Sequence, residues 1–134
     1  MANALYGKGK EKLLTGAIDV SSATMMASLI SSSYTANLST DEFYTSVNSY
    51  LLNTAKVLAS KTYALGVFDA ADITFTAVTA GSTAKAVVIW KDTGAAATSP
   101  LLAYIDVITG FPLATNGGDI TIVWDAGAYR IFSL

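Results

Sequence analysis

The triplet Asp92-Thr93-Gly94, inside "KDTGAAAT", is the place in this chain where residue types most suggest bond-breaking chemistry. An aspartate on such a corner, doubled across a dimer axis so that two carboxylates share one proton, activates water for peptide hydrolysis. Working corners of that kind carry apolar residues ahead of the aspartate, and here Lys91 precedes it. "VITGFPL" is also a poor match to the apolar-apolar-glycine segment that braces such a corner. A plain turn between two strands is the simpler reading. No acid-protease activity is expected, and Asp92→Asn should change no hydrolysis.

Other reactive types are equally isolated. "GKGKEK", Gly7 to Lys12, has the look of a phosphate cradle, yet no strand precedes it and no Ser or Thr follows its lysines. A solvated basic helix is the better reading. Asp69 and Asp72 are a pair without a third carboxylate, short of the six to eight oxygens that calcium takes. Asp41 and Glu42 most simply acidify the start of a helical turn. The run Ser31 to Ser33 has no base to activate it, because the chain contains no histidine and no suitably placed lysine. With no cysteine either, thiolate metal sites and disulfides are ruled out. Trp90 and Trp124 could stack on a sugar or a base, but strands this apolar favour core packing. No catalytic, metal or cofactor residues are expected.

The elements that carry these residues read as β-structure. Asn3 to Thr15 can form a short helix, with Asn3 as N-cap and Gly16 at the C-terminal cap; Gly7 and Gly9 each weaken its interior by about 1 kcal/mol. "TMMASLI" is a first strand. "SSSYTANLSTDEFYTSVNSYL" is a long connection in which Ser39 or Thr40 caps one helical turn holding Asp41 and Glu42. "TAKVLAS" alternates loosely. "DITFTAV" alternates cleanly, with Ile73, Phe75 and Ala77 on one face. "AKAVVIW" is apolar on both faces, as a central strand covered on each side should be. "LLAYIDV" follows Pro100, and "TGFPLATNGGD" is turn chemistry. The closing "DITIVWDAGAYRIFSL" predicts a hairpin looped at Ala126 and Gly127, pairing Trp124 with Tyr129, Ile122 with Ile131, Val123 with Arg130 and Thr121 with Phe132. The spacing predicts a mainly β chain: one β-sandwich or small barrel-like domain over residues 17–134, with a helical arm over 1–16.

Composition narrows the partners. The 134 residues are 52% hydrophobic and only 13% charged, about half the usual charged share of roughly 25%. A surface so poor in charge suits a protein covered in part by neighbours. A net charge of −2 argues against general nucleic-acid binding, which needs a basic field. "ATMMASLI" is too short to cross a bilayer. Lys8, Lys10 and Lys12 precede "LLTGAI", but Asp19 interrupts at once, so no secretory signal is expected.

"MANALYGKGKEKLLTGAID", "GVFDAADITFTAV" and "TSPLLAYIDVITGFPLATNGGDITIVWDAGAYRIFSL" together resemble a family of short proteins encoded among the virion structural genes of tailed bacteriophages and prophages. The resemblance covers most of the chain and implies a non-enzymatic structural component of the virion, assembled in the bacterial cytoplasm. It carries no catalytic residues and no cofactor. Within that class a capsid decoration, or cement, protein is the expectation: a homo-oligomer, most simply a trimer, bound to the major capsid protein. A tail, neck or tail-tube component is the alternative. A ligand-binding β-sandwich with an exposed aromatic platform is a more distant one. The weakly helical N-terminal segment, with Leu5, Tyr6, Lys8, Lys10 and Lys12, is the expected partner contact, able to reach a neighbour while residues 17–134 stay folded without it.

Overall fold

The computed structural model describes residues 3–124, 127 and 130–134. The chain is mainly β, with antiparallel sheets and one short helix near the N-terminus, as the alternation patterns require. Its strands are β1 (Ala4–Leu5), β2 (Met25–Ser31), β3 (Lys56–Val57), β4 (Val67–Phe68), β5 (Ile73–Phe75), β6 (Thr83–Lys91), β7 (Leu101–Ile105), β8 (Leu113–Ala114), β9 (Ile120–Ile122) and β10 (Phe132–Ser133). The main sheet runs β1-β7-β6-β2-β3, and β8 pairs with the start of β6. The remaining strands form two ribbons, β10-β4 and β5-β9.

Strand β6 lies at the centre, as its two apolar faces demand. Its Val87 and Ile89 join a core that includes Leu29 of β2, Phe75 of β5, Phe68 of β4 and Ile122 of β9. Its Val88 and Trp90 face a second core with Tyr6, Tyr34, Tyr44 and Val47. The ribbons therefore cover one face, and the long connection after β2 covers the other. β7 is buried along its whole length.

The helix α1 (Gly7–Thr15) starts later than its sequence suggests. Tyr6 occupies the N-cap position, and Asn3 instead accepts hydrogen bonds at its Oδ1 from the N–H groups of Asp106 and Val107, both at 2.8 Å. Gly16 closes the helix at φ 79°, in the left-handed region a C-cap favours. Gly9 is a requirement and not a weakness. A Cβ there would stand 2.6 Å from the Leu101 carbonyl oxygen and 3.0 Å from the Leu102 Cα, so the missing side chain lets α1 lie directly on β7. The N-terminal segment is thus built into the domain, with β1 paired to β7 and Tyr6 fully buried. Removing residues 2–15 would strip a strand and a core side chain from residues 17–134.

Three further expectations are corrected. No helical turn holds Asp41 and Glu42: the Asn37 Oδ1 accepts from the Ser39 and Thr40 N–H groups, making an Asx turn, and the short 3-10 turns come later, at Tyr44–Ser46 and Asn48–Tyr50. Ala77 leaves the β5 face, with φ 50° and an exposed side chain, while Val78 turns inward. Among the described residues the pairs predicted for the closing hairpin are absent. Thr121 pairs with Thr74 and Phe132 with Phe68, so the two segments take separate, older partners. Those partners offer more: Phe132 stacks on Phe68 at 5.1 Å between centroids, and Ile120 and Ile122 share a buried face with Ile73 and Phe75. The proposed loop residue Ala126, and Tyr129 opposite Trp124, lie outside the described residues.

Gly9→Ala tests the helix contact with a reversed sign. Helix propensity alone would raise stability by about 1 kcal/mol, whereas the backbone clash should lower it by about 1–3 kcal/mol, read as a shift in the urea unfolding midpoint.

Candidate functional site

The residues singled out for chemistry turn out to hold the fold. Asp92 accepts the Gly94 N–H at 2.8 Å, and Thr93 shares hydrogen bonds with Thr98 at 2.6 Å and Ser99 at 3.1 Å, so the triplet is an exposed turn. Asp72 accepts the Trp124 N–H at 2.9 Å, and Asp69 faces Arg130 at 3.8 Å. Ser31 Oγ accepts the Ser33 N–H at 3.2 Å. Among the described residues no group of three acidic side chains converges on one point, and no helix is long and apolar enough to cross a membrane.

Both tryptophans are withdrawn from the surface. Trp90 stacks on Tyr44 at 3.8 Å, and its Nε1–H donates to Ser28 Oγ at 2.8 Å. The Tyr44 hydroxyl meets the same oxygen at 2.8 Å. Trp124 donates from Nε1 to the Ala71 carbonyl at 3.1 Å. Neither ring is available as a platform for a sugar or base.

The most concentrated polar group in the interior was not foreseen from the sequence. Tyr34 donates to Asp41 Oδ2 at 2.6 Å and lies 2.8 Å from the Tyr6 hydroxyl. A phenol has one proton, so with that proton on the carboxylate bond, Tyr6 must donate to Tyr34. Burial, above all, pushes both phenols well above their ordinary range, and the Asp41 carboxylate adds to the effect at Tyr34. Neither is a nucleophile near neutral pH. The three tyrosines of the connection and Tyr6 were the visible signal, since a Ser/Thr-rich loop seldom needs them.

The five expected contact residues separate into different roles. Tyr6 is buried and cannot meet a partner. Lys8 pairs with Glu11 at 3.3 Å on the helix surface. Lys12 bonds Glu42 Oε1 at 2.6 Å and stands 5.3 Å above the Phe43 ring, clasping α1 to the long connection. That hydrogen bond is the main reason the Glu42 carboxyl is held below its ordinary range. Leu5 and Lys10 alone among the five border a groove of about 1040 Å³. Asn3, Ala4 and Leu5 form one wall, and Ile131, Phe132 and Ser133 the other. Lys10, Arg130 and Asp106 stand around it.

Outside the groove the surface carries isolated apolar side chains. Leu65 is 99% exposed, at φ 55°, on the loop closed by the Thr62–Asp69 bridge. Leu134, 74% exposed, is tied to that loop through its N–H and the Gly66 carbonyl at 2.9 Å. Val57 and Tyr63 are more than half exposed as well.

Set against known proteins, the chain matches no family model and no curated protein.

Two substitutions probe these contacts. Ser28→Ala leaves a buried indole N–H without its acceptor and a buried phenol without its hydroxyl partner, and should cost about 1–3 kcal/mol in chemical unfolding. For the clasp, the Glu42 pKa is depressed in the folded state. Its contribution is therefore present above the unfolded value, near 4.5, and is lost as pH falls through the lower folded value. Thermal unfolding followed from pH 6 down to about pH 3 should show a part of the acid destabilisation that disappears in Glu42→Gln.

Proposed function

We propose that this chain is a structural component of a tailed-phage virion, most simply a decoration protein that binds and stabilises the capsid shell as a homo-oligomer. The observation that carries the reading is its surface. Leu14, Leu65, Val107, Val123 and Leu134 are each 66–99% exposed on a protein with very few charges. Exposed singly, such side chains are ordinary on any protein; Val107 and Val123, which stand together on the groove, are the ones that contact with a like copy or a scaffold would cover. The resemblance to short virion proteins supports the same reading. The blocks that carry it supply β1, α1, β4, β5 and β7 to β10, and every residue bordering the groove falls within them.

Asp72, Asp92, Ser31 and both tryptophans are engaged in turns and core hydrogen bonds, which suits a binding role. The test is mass spectrometry of purified particles with absolute quantification. Hundreds of copies per particle are expected for a shell protein. A few dozen or fewer would move the assignment to the neck, baseplate or fibre, and an intermediate number to a tail tube. Absence from washed particles would overturn the virion reading.

A further inference from the structure

The groove is bordered by two strand edges. β1 is the outermost strand of the main sheet on its side, and β10 has β4 on one side only; among the described residues no strand pairs with either free edge. The direction of the backbone groups follows from the ladders. The Tyr6 N–H donates to the Leu102 carbonyl at 2.9 Å, so antiparallel alternation turns the N–H and C=O of Leu5 away from β7. The Leu134 N–H donates to the Gly66 carbonyl at 2.9 Å, and the same alternation turns those of Ser133 away from β4. Both residues line the groove, and none of these four groups has a hydrogen-bond partner among the described residues. Unsatisfied main-chain donors and acceptors on a strand edge are a template for another strand.

We propose that the groove receives an extended segment of a partner protein, held by main-chain hydrogen bonds to Leu5 and Ser133 and by a carboxylate set against Lys10. At about 1040 Å³ the space is at the upper end of small-molecule pockets, which run to about 1,000 Å³, and is large enough for a stretch of peptide. Its walls dictate the sequence of the guest. Val107, Ile108, Phe111 and Val123 favour apolar residues at alternate positions of the incoming strand. The charges favour one acidic residue. Lys10 is exposed and has no ion pair among the described residues; Arg130 reaches Asp69 only at 3.8 Å, and Asp106 is already engaged. The inference rests on the assembly reading for who the partner is, but not for how it is held.

The experiment uses the full chain and a displayed pool of peptides about nine residues long, ~30 Å when extended. The peptides alternate valine or isoleucine with threonine around a central glutamate, and a matched pool carries lysine instead. The glutamate pool should enrich, a proline placed at the centre of a winner should abolish binding, and the winner should shift the amide resonances of Leu5 and Ser133. Ser133→Pro removes one outward N–H at a position where a strand edge tolerates proline; it should weaken binding by about tenfold with thermal unfolding unchanged. Lys10→Glu, exposed and unpaired, should switch the preference to the lysine pool. No enrichment in the glutamate pool would overturn the proposal, as would binders that leave Leu5 and Ser133 unmoved. Self-association of the chain through those two amides would overturn the choice of occupant. A chain that binds these peptides but is missing from particles would sink the virion reading and leave the groove standing, so the two failures are distinguishable.

Discussion

Because β6 carries Val87 and Ile89 on one face and Val88 and Trp90 on the other, water has to be kept off both sides of the main sheet at once. Burying one aliphatic side chain of this size stabilises the folded state by about 1.5–3 kcal/mol, so leaving either face wet would forfeit several such contributions. The molecule meets the demand with two unlike covers. The β4-β10 and β5-β9 ribbons lay Phe68, Phe75, Ile120 and Ile122 over the first face. The connection after β2, which has almost no regular structure of its own, lays Tyr34, Tyr44 and Val47 over the second.

A loop used as a lid must dispose of its own polar groups, and here tyrosines do much of that work. Two of the connection's tyrosines and Tyr6 bury their rings and end in hydroxyls that find partners inside: Tyr44 on Ser28, Tyr34 on Asp41, Tyr6 on Tyr34. Asp41 gathers the Asn37 N–H at 2.9 Å as well as the Tyr34 hydroxyl, so a single carboxylate organises the turn. Such networks hold only when every member is satisfied, since a buried donor left over costs about 1–3 kcal/mol. That is why a segment rich in Ser, Thr and Asn can be rigid enough to serve as one wall of a core.

What the sequence discloses follows the range of the interaction. Alternation and continuous apolar runs place β2, β5, β6 and β7, because those patterns answer to burial that any sheet would provide. Gly16 and the Asp92 turn are equally visible, since their causes lie within a few residues. The hairpin pairing, absent among the described residues, misleads for the opposite reason. Thr121 could face Phe132 on local grounds, yet Thr74 and Phe68, each more than 40 positions away, bring a partner hydroxyl and a stacked ring. Gly9 misleads in the same way: its cost is local and its purpose, the approach to Leu101, is distant. The contact residues expected in the arm divided once Tyr6 turned inward, and of the five only Leu5 and Lys10 reach the groove that β1 and β10 form together.

Charge is scarcer on this surface than the composition alone implies. Lys61 and Lys91 donate to the Ala23 and Ala17 carbonyls at 2.6 and 2.9 Å, pinning the loop ahead of β2, and Lys12 is clasped to Glu42. Asp19, Asp72, Asp92 and Asp119 each accept a nearby or distant backbone N–H. Charges held in this way steer partners less than free ones do, because part of their field already falls on an internal donor or acceptor. Association of such a surface therefore has to draw on apolar area and on main-chain hydrogen bonding. Both are present where β1 and β10 leave their outer edges unpaired, and Lys10, standing beside them, is the charge best placed to choose between otherwise similar strands.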